Sequence, residues 1–262
     1  MTKRLLPLLL ILASAPAAFA SIFVPINYNG PGAFGAQWHT SVIVSNRQAT
    51  GFVSGTHAQF SICDGPPDSC GSPYLPAGMT SKVFSDSPHG LFINAANAGA
   101  AVFATVHIAA EPRDPDTEGT EIPIARDSDF GSSMKLVNVP TGVANGQPVR
   151  GLLRLYAPLP GGTGLPTPTG TVFVTVYDVK NPAVVAAKIE ITLTQAEPDV
   201  VGYAELDLSR FASISPFVNI DVDAGQIAPV LQPVFPSSTV NVWGFVTITN
   251  NVTNTVITIT PR

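Results

Sequence analysis

Residues 171–177 read TVFVTVY and residues 246–249 read VTIT. Apolar Val, Phe or Ile alternates with Thr in both stretches. That period of two predicts strands that bury one face and turn Thr to water on the other. Runs of the same grammar recur along the chain, bounded by Gly, Pro, Asn and Asp. A first series covers 22–26, 38–45, 52–62, 81–84, 101–109 and 134–139. A second covers 151–156, 171–179, 184–193, 201–208, 217–222, 240–249 and 255–260. No long segment has the i, i+3, i+4, i+7 spacing of a surface helix. Short helical pieces are expected only at 91–96 and 208–212. Strands without intervening helices predict an all-β fold of two antiparallel β-sandwich, immunoglobulin-like domains in tandem.

The turn-rich stretch 141–148, TGVANGQP, is the expected boundary. It divides the chain into a leader at 1–20, a first sandwich at 21–143 and a second at 144–262. The Gly- and Pro-rich stretch 161–170 is read as a long hairpin loop, because strong strands flank it.

Composition narrows the classes. The 262 residues include 13 Lys and Arg and 18 Asp and Glu, 12% charged in all. Soluble domains carry roughly 25%. With 45% hydrophobic residues the chain is not disordered by the low-hydrophobicity, high-charge criterion. So few charges do not suit a coiled coil. A net charge of -5 excludes a basic-patch nucleic-acid binder. The 25 prolines do not suit the lipid-facing strands of an outer-membrane barrel.

The N-terminus has the three parts of a secretory signal peptide. Lys3 and Arg4 form the basic region, residues 5–13 the apolar one, and Ala18, Phe19 and Ala20 the small-x-small cleavage signal. The apolar part is shorter than the ~20 residues that span a bilayer, and no later stretch is long enough either. The mature protein is therefore expected to be secreted, periplasmic or on the cell surface, with no transmembrane segment after cleavage. Cys63 and Cys70 enclose the turn-forming sequence DGPPDS. In an oxidising compartment this pair is expected to be a disulfide. A redox pair usually reads C-x-x-C, and a zinc site needs two further ligands nearby.

Two segments are alike. Trp38 precedes VIVSN at 42–46, and Trp243 precedes VTITN at 246–250. The opening, with Val24, Pro25, Ile26, Trp38, Thr40, Ser45 and Asn46, resembles uncharacterised secreted bacterial proteins with paired β-sandwich modules. The end, with Trp243, Phe245, Thr249, Asn250 and Asn251, resembles the same proteins. The resemblance covers most of the mature chain and implies an exported all-β protein. It implies no activity and no catalytic residues.

The candidates for chemistry are few. Glu111, Asp114, Asp116, Glu118, Glu121, Asp127 and Asp129 place seven of the 18 acids in one short span. Asp114, Asp116 and Glu118, followed by Gly119, alternate oxygen ligands ahead of a tight turn, as Ca²⁺ loops do. An EF-hand needs Glu at the end of its roughly 12-residue loop, and counted from Asp114 that position is Ala125. A looser Ca²⁺ site is the alternative to a solvated acidic loop, and the solvated loop is preferred. No other cofactor is expected. Asp221 and Asp223 share a strand face and form a weaker ligand pair. His39, His57, His89 and His107 show neither H-E-x-x-H nor H-x-H spacing. Residues 132–135, SSMK, match S-x-x-K, but they lead into a strand and lack the companion motifs. Trp38, Tyr74, Tyr156, Tyr177, Tyr203 and Trp243 are candidates for a sugar-binding face or for packing. Asn251 to Thr253 forms a sequon that matters only where the host glycosylates Asn.

The function expected is that of an exported, non-enzymatic β-sandwich protein. Its role would be binding, adhesion or surface structure, with an extracellular protein or glycan as partner. The alternatives are a carbohydrate-binding module with a loop Ca²⁺ site and a cryptic hydrolase.

Overall fold

The computed structural model describes residues 20–26, 29–31, 37–55, 61–63, 70–72, 74–84, 90–95, 102–111, 119–158, 169–195, 201–227, 240–253 and 255–262. Among the described residues the first half contributes twelve strands: β1 (Ala20–Val24), β2 (Asn29–Pro31), β3 (Gln37–Asn46), β4 (Phe52–Gly55), β5 (Ser61–Cys63), β6 (Cys70–Ser72), β7 (Tyr74–Pro76), β8 (Thr80–Phe84), β9 (Leu91–Ala95), β10 (Val102–Glu111), β11 (Thr120–Glu121) and β12 (Ala125–Arg126). Nine follow: β13 (Ser133–Pro140), β14 (Val143–Ala144), β15 (Gln147–Pro158), β16 (Thr169–Asp178), β17 (Asn181–Gln195), β18 (Val201–Asp207), β19 (Phe217–Ile227), β20 (Trp243–Asn250) and β21 (Val256–Ile259). Among the described residues there is no α-helix. The protein is all-β, and its sheets are antiparallel.

One sheet has the order β12-β1-β9-β4-β7. A second has the order β11-β10-β3-β8-β5-β6, with β2 beside β3. These two bury a common core. Val53, Leu75, Leu91 and Ile93 come from the first sheet, and Val42, Val44, Val102 and Val106 from the second. The alternation in β3 and β10 explains this. Val42, Val44, Val102, Ala104 and Val106 point inward, while Ile43, Phe103 and Thr105 face outward.

The third sheet has the order β13-β19-β16-β17-β18-β15-β20-β21, with β14 on β15. β17 meets β18 only at Thr194 with Tyr203 and Gln195 with Gly202. The two ends of the sheet also approach each other. Gly131 and Val242 exchange backbone bonds of 3.1 and 2.7 Å, and the Arg262 amide donates to the Lys135 carbonyl at 3.0 Å. The sheet thus folds over a second core, in which Val172, Val174 and Val176 meet Ile220, Leu153, Leu155 and Ile248.

Two expectations about single segments change. The piece at 91–96 is a strand, not a helix, over the described residues 91–95. Leu91 and Ile93 are fully buried, and Ile93 pairs with Ile22. Pairing with β1 decides the conformation there, over a weak local preference. The run 52–62 is not one strand. Its first part, β4, joins the first sheet, and its last part, β5, joins the second. The chain passes from the first two sheets to the third between Arg126 and Ser133, through a 3₁₀ turn at Asp127–Asp129. The division expected at 143/144 falls inside β14, which pairs with Gln147 and Pro148. The short helical piece near 208 is present, as a 3₁₀ turn at Leu208–Phe211. Asp207 caps it by accepting from the Ser209 amide at 2.9 Å.

The likeness between the two Trp-to-Asn segments has a local cause. The Asn46 side-chain oxygen accepts from the Gln48 amide, and the Asn250 oxygen from the Val252 amide, at 3.2 and 2.8 Å. Both Asn residues end a strand with the same side-chain-to-backbone turn. The tryptophans differ: Trp38 is half-buried and Trp243 is in the core.

Candidate functional site at the junction of the sheets

The run 152–157, LLRLYA, carries large apolar residues on both parities, with Arg154 the one polar member, unlike the alternating stretch at 171–177. Such a strand is buried on both faces. β15 sends Val149, Leu153, Leu155 and Ala157 into the third sheet's core. Its Tyr156 points the other way, into the core of the first two sheets. β20 does the same, with Val246 and Ile248 on one side and Trp243 and Phe245 on the other.

The result is an aromatic junction. Phe23 of β1 lies 5.0 Å from Tyr156 and 6.2 Å from Trp243, both edge-on. Phe130 lies 5.8 Å from Phe23 and 6.3 Å from Trp243, and Phe245 stacks on Tyr156 at 6.3 Å. Edge-to-face pairs at these spacings contribute about 0.5–1.5 kcal/mol each beyond area burial. The fully buried Tyr156 hydroxyl donates to the Pro25 carbonyl at 3.0 Å. Burial pushes the Tyr156 phenol well above its ordinary range. A second link runs from the Thr120 hydroxyl to the Val256 carbonyl at 2.6 Å.

The same face of β15 becomes polar further along. Register sets Arg154 opposite Glu205, and the two form an ion pair of 2.5 Å. Arg154 also donates to the Tyr203 hydroxyl at 3.0 Å. Burial alone would lower the Arg154 pKa, but Tyr156, Tyr203 and Glu205 outweigh it and hold the guanidinium charged. Burial also raises Tyr203. One step on, Arg150 reaches Asp207 at 3.2 Å. Despite some desolvation, the bonds from Ser209 and Arg150 keep Asp207 below the usual carboxylate range. This ladder places opposite charges against each other at the rim of the junction. It offers no nucleophile beside a base.

The sequence candidates are dispersed. Asp114, Asp116 and Glu118 lie outside the described residues, as do residues 1–19, His57 and His89. Glu121 pairs opposite His107, and His39 sits opposite Ala109. Asp129 accepts from the Arg126 amide at 2.7 Å and so closes its own turn. Asp221 and Asp223 share the outer face of β19, but Asp221 is paired with Lys135 at 3.4 Å. Among the described residues no three His, Cys, Asp or Glu side chains gather as a metal site. Residues 132–135 enter β13, so the S-x-x-K match stands on a strand. Cys63 and Cys70 are Cα partners across β5 and β6. The aromatics do not form one face, because Tyr156 and Trp243 are core residues while Tyr74 is exposed. That removes the six-residue sugar platform.

Sequence reading missed Arg154, Glu205, Phe23 and Phe130. The two-sided apolar character of 152–157 was the available signal. No protein-family model matches the chain, and none of the curated proteins matches it.

Proposed function

We propose that the chain is an exported, non-enzymatic protein with a binding, adhesion or surface-structural role. In this reading it consists of two sandwich domains in tandem, divided near residues 127–132. The observation that carries it is the use made of Phe23, Tyr156, Trp243 and Phe245. These large aromatics cement one set of sheets to the other, which suits a rigid spacer or display scaffold. The leader at 1–20 supports export. The register of Cys63 with Cys70 supports a disulfide that forms after export. The partner is an extracellular protein or glycan. The acidic segment around Asp114, Asp116 and Glu118 is read as solvated.

Expression of the full precursor in a Gram-negative host, followed by intact-mass analysis, tests this. The expected product is extracytoplasmic, begins at Ser21 and is lighter than its reduced form by two hydrogens. Its melting temperature is the same in Ca²⁺ and in EDTA. An uncleaved cytoplasmic product with two free thiols contradicts export, and a melting shift with Ca²⁺ contradicts the solvated loop.

A further inference from the structure

Among the described residues β17 is the longest strand, running from Asn181 to Gln195. One edge is paired with β16 from Ala187 to Thr194 and, past two register shifts, at Val185 and Asn181. On the other edge, among the described residues, only Thr194 and Gln195 pair, with β18. Residues 181–193 therefore present a long edge, and Val184 and Val185 on it are 55% and 52% exposed. Such an edge is a template for another strand unless something blocks it. Pro182 stands at its start. Further along, Lys188 and Glu190 are exposed, and Ile189 and Ile191 are half-buried.

We propose that this edge pairs antiparallel with the same edge of a second copy, giving a two-fold dimer. The charges select one register. Lys188 and Glu190 face outward together, and Ile189 and Ile191 pack against the third sheet's core. Pairing must oppose outer residues to outer residues, because a one-residue slip exchanges the faces. With Lys188 on the two-fold axis, lysine meets lysine. With Glu190 on it, glutamate meets glutamate. With Ile189 on it, each Lys188 meets the other copy's Glu190, and Ile191 meets Ala187. The span 186–192 is then covered, and it stops short of the residues that β18 already pairs. Lys188 is also held over the Phe173 ring at 5.6 Å, which keeps it on the outer face beside Glu190.

Sedimentation equilibrium of the purified full chain, up to its solubility limit, tests this with two charge reversals. The wild-type chain is expected to dimerise reversibly. Lys188→Glu or Glu190→Lys turns both cross-strand pairs repulsive and should weaken the dimer about tenfold or more. An equimolar mixture of the two variants restores every pair, so it should form a heterodimer of wild-type strength. That recovery separates pairing from misfolding. A wild-type chain that stays monomeric throughout, single variants that dimerise as wild type does, or a mixture with no recovery overturns the proposal.

Discussion

Tyr156 does two things at once. Its ring stacks in the aromatic junction, and its hydroxyl satisfies a carbonyl from the other half of the chain. Burial raises the phenols of both Tyr156 and Tyr203. The folded protein therefore keeps two protons that the unfolded chain releases near the ordinary tyrosine pKa of about 10. That contribution is complete below pH ~10 and is lost as the pH rises further, because the unfolded chain then binds fewer protons. In an alkaline titration followed by phenolate absorbance, two of the five tyrosines should ionise only together with loss of the β circular-dichroism signal. Ionisation of all five with the fold intact would contradict the full burial of Tyr156.

Strand ends explain why repeated sequence need not mean repeated domains. Asn46 is buried, donates to the Leu75 carbonyl at 3.0 Å and accepts from the Gln48 amide. Asn46→Ala leaves both partners unsatisfied, and each such buried group costs about 1–3 kcal/mol. Asn250 makes its turn where water can replace it, so Asn250→Ala should cost clearly less. Urea unfolding of the two variants checks the order, and equal losses would contradict it. The strands themselves were legible because burial on one face imposes a period of two, as in 171–177 and 217–222. Leu91 to Ala95 was not legible, because LFINA, three large apolar residues followed by Asn94 and Ala95, carries no period of its own. Its conformation comes from pairing with β1, distant in sequence. Likewise the spacing of Cys63 and Cys70 across a turn-forming sequence made their expected pairing a local reading, whereas the encounter of Arg154 with Glu205 had no local signal. Their encounter depends on the register of β15 with β18.

For the molecule as a whole, the lesson lies in where the sheets change. The turn at 141–148 has the composition of a linker, yet it closes a hairpin against β15. The passage from the first two sheets to the third, at 127–132, contains Phe130, which is buried against Phe23 and Trp243. A segment that contributes to the core reads as structure rather than as linker. The same burial couples the two halves, since Tyr156, Trp243 and Phe245 complete a core that belongs to the first two sheets. Truncating a buried Trp typically costs about 3–5 kcal/mol. At Trp243 that loss falls on the contact between halves. Differential scanning calorimetry of the wild-type chain and of Trp243→Ala measures the coupling. The wild-type chain should unfold in one transition whose calorimetric and van't Hoff enthalpies agree, and Trp243→Ala should split it into two. Two separate transitions in the wild-type chain would contradict a junction that makes the halves one cooperative body.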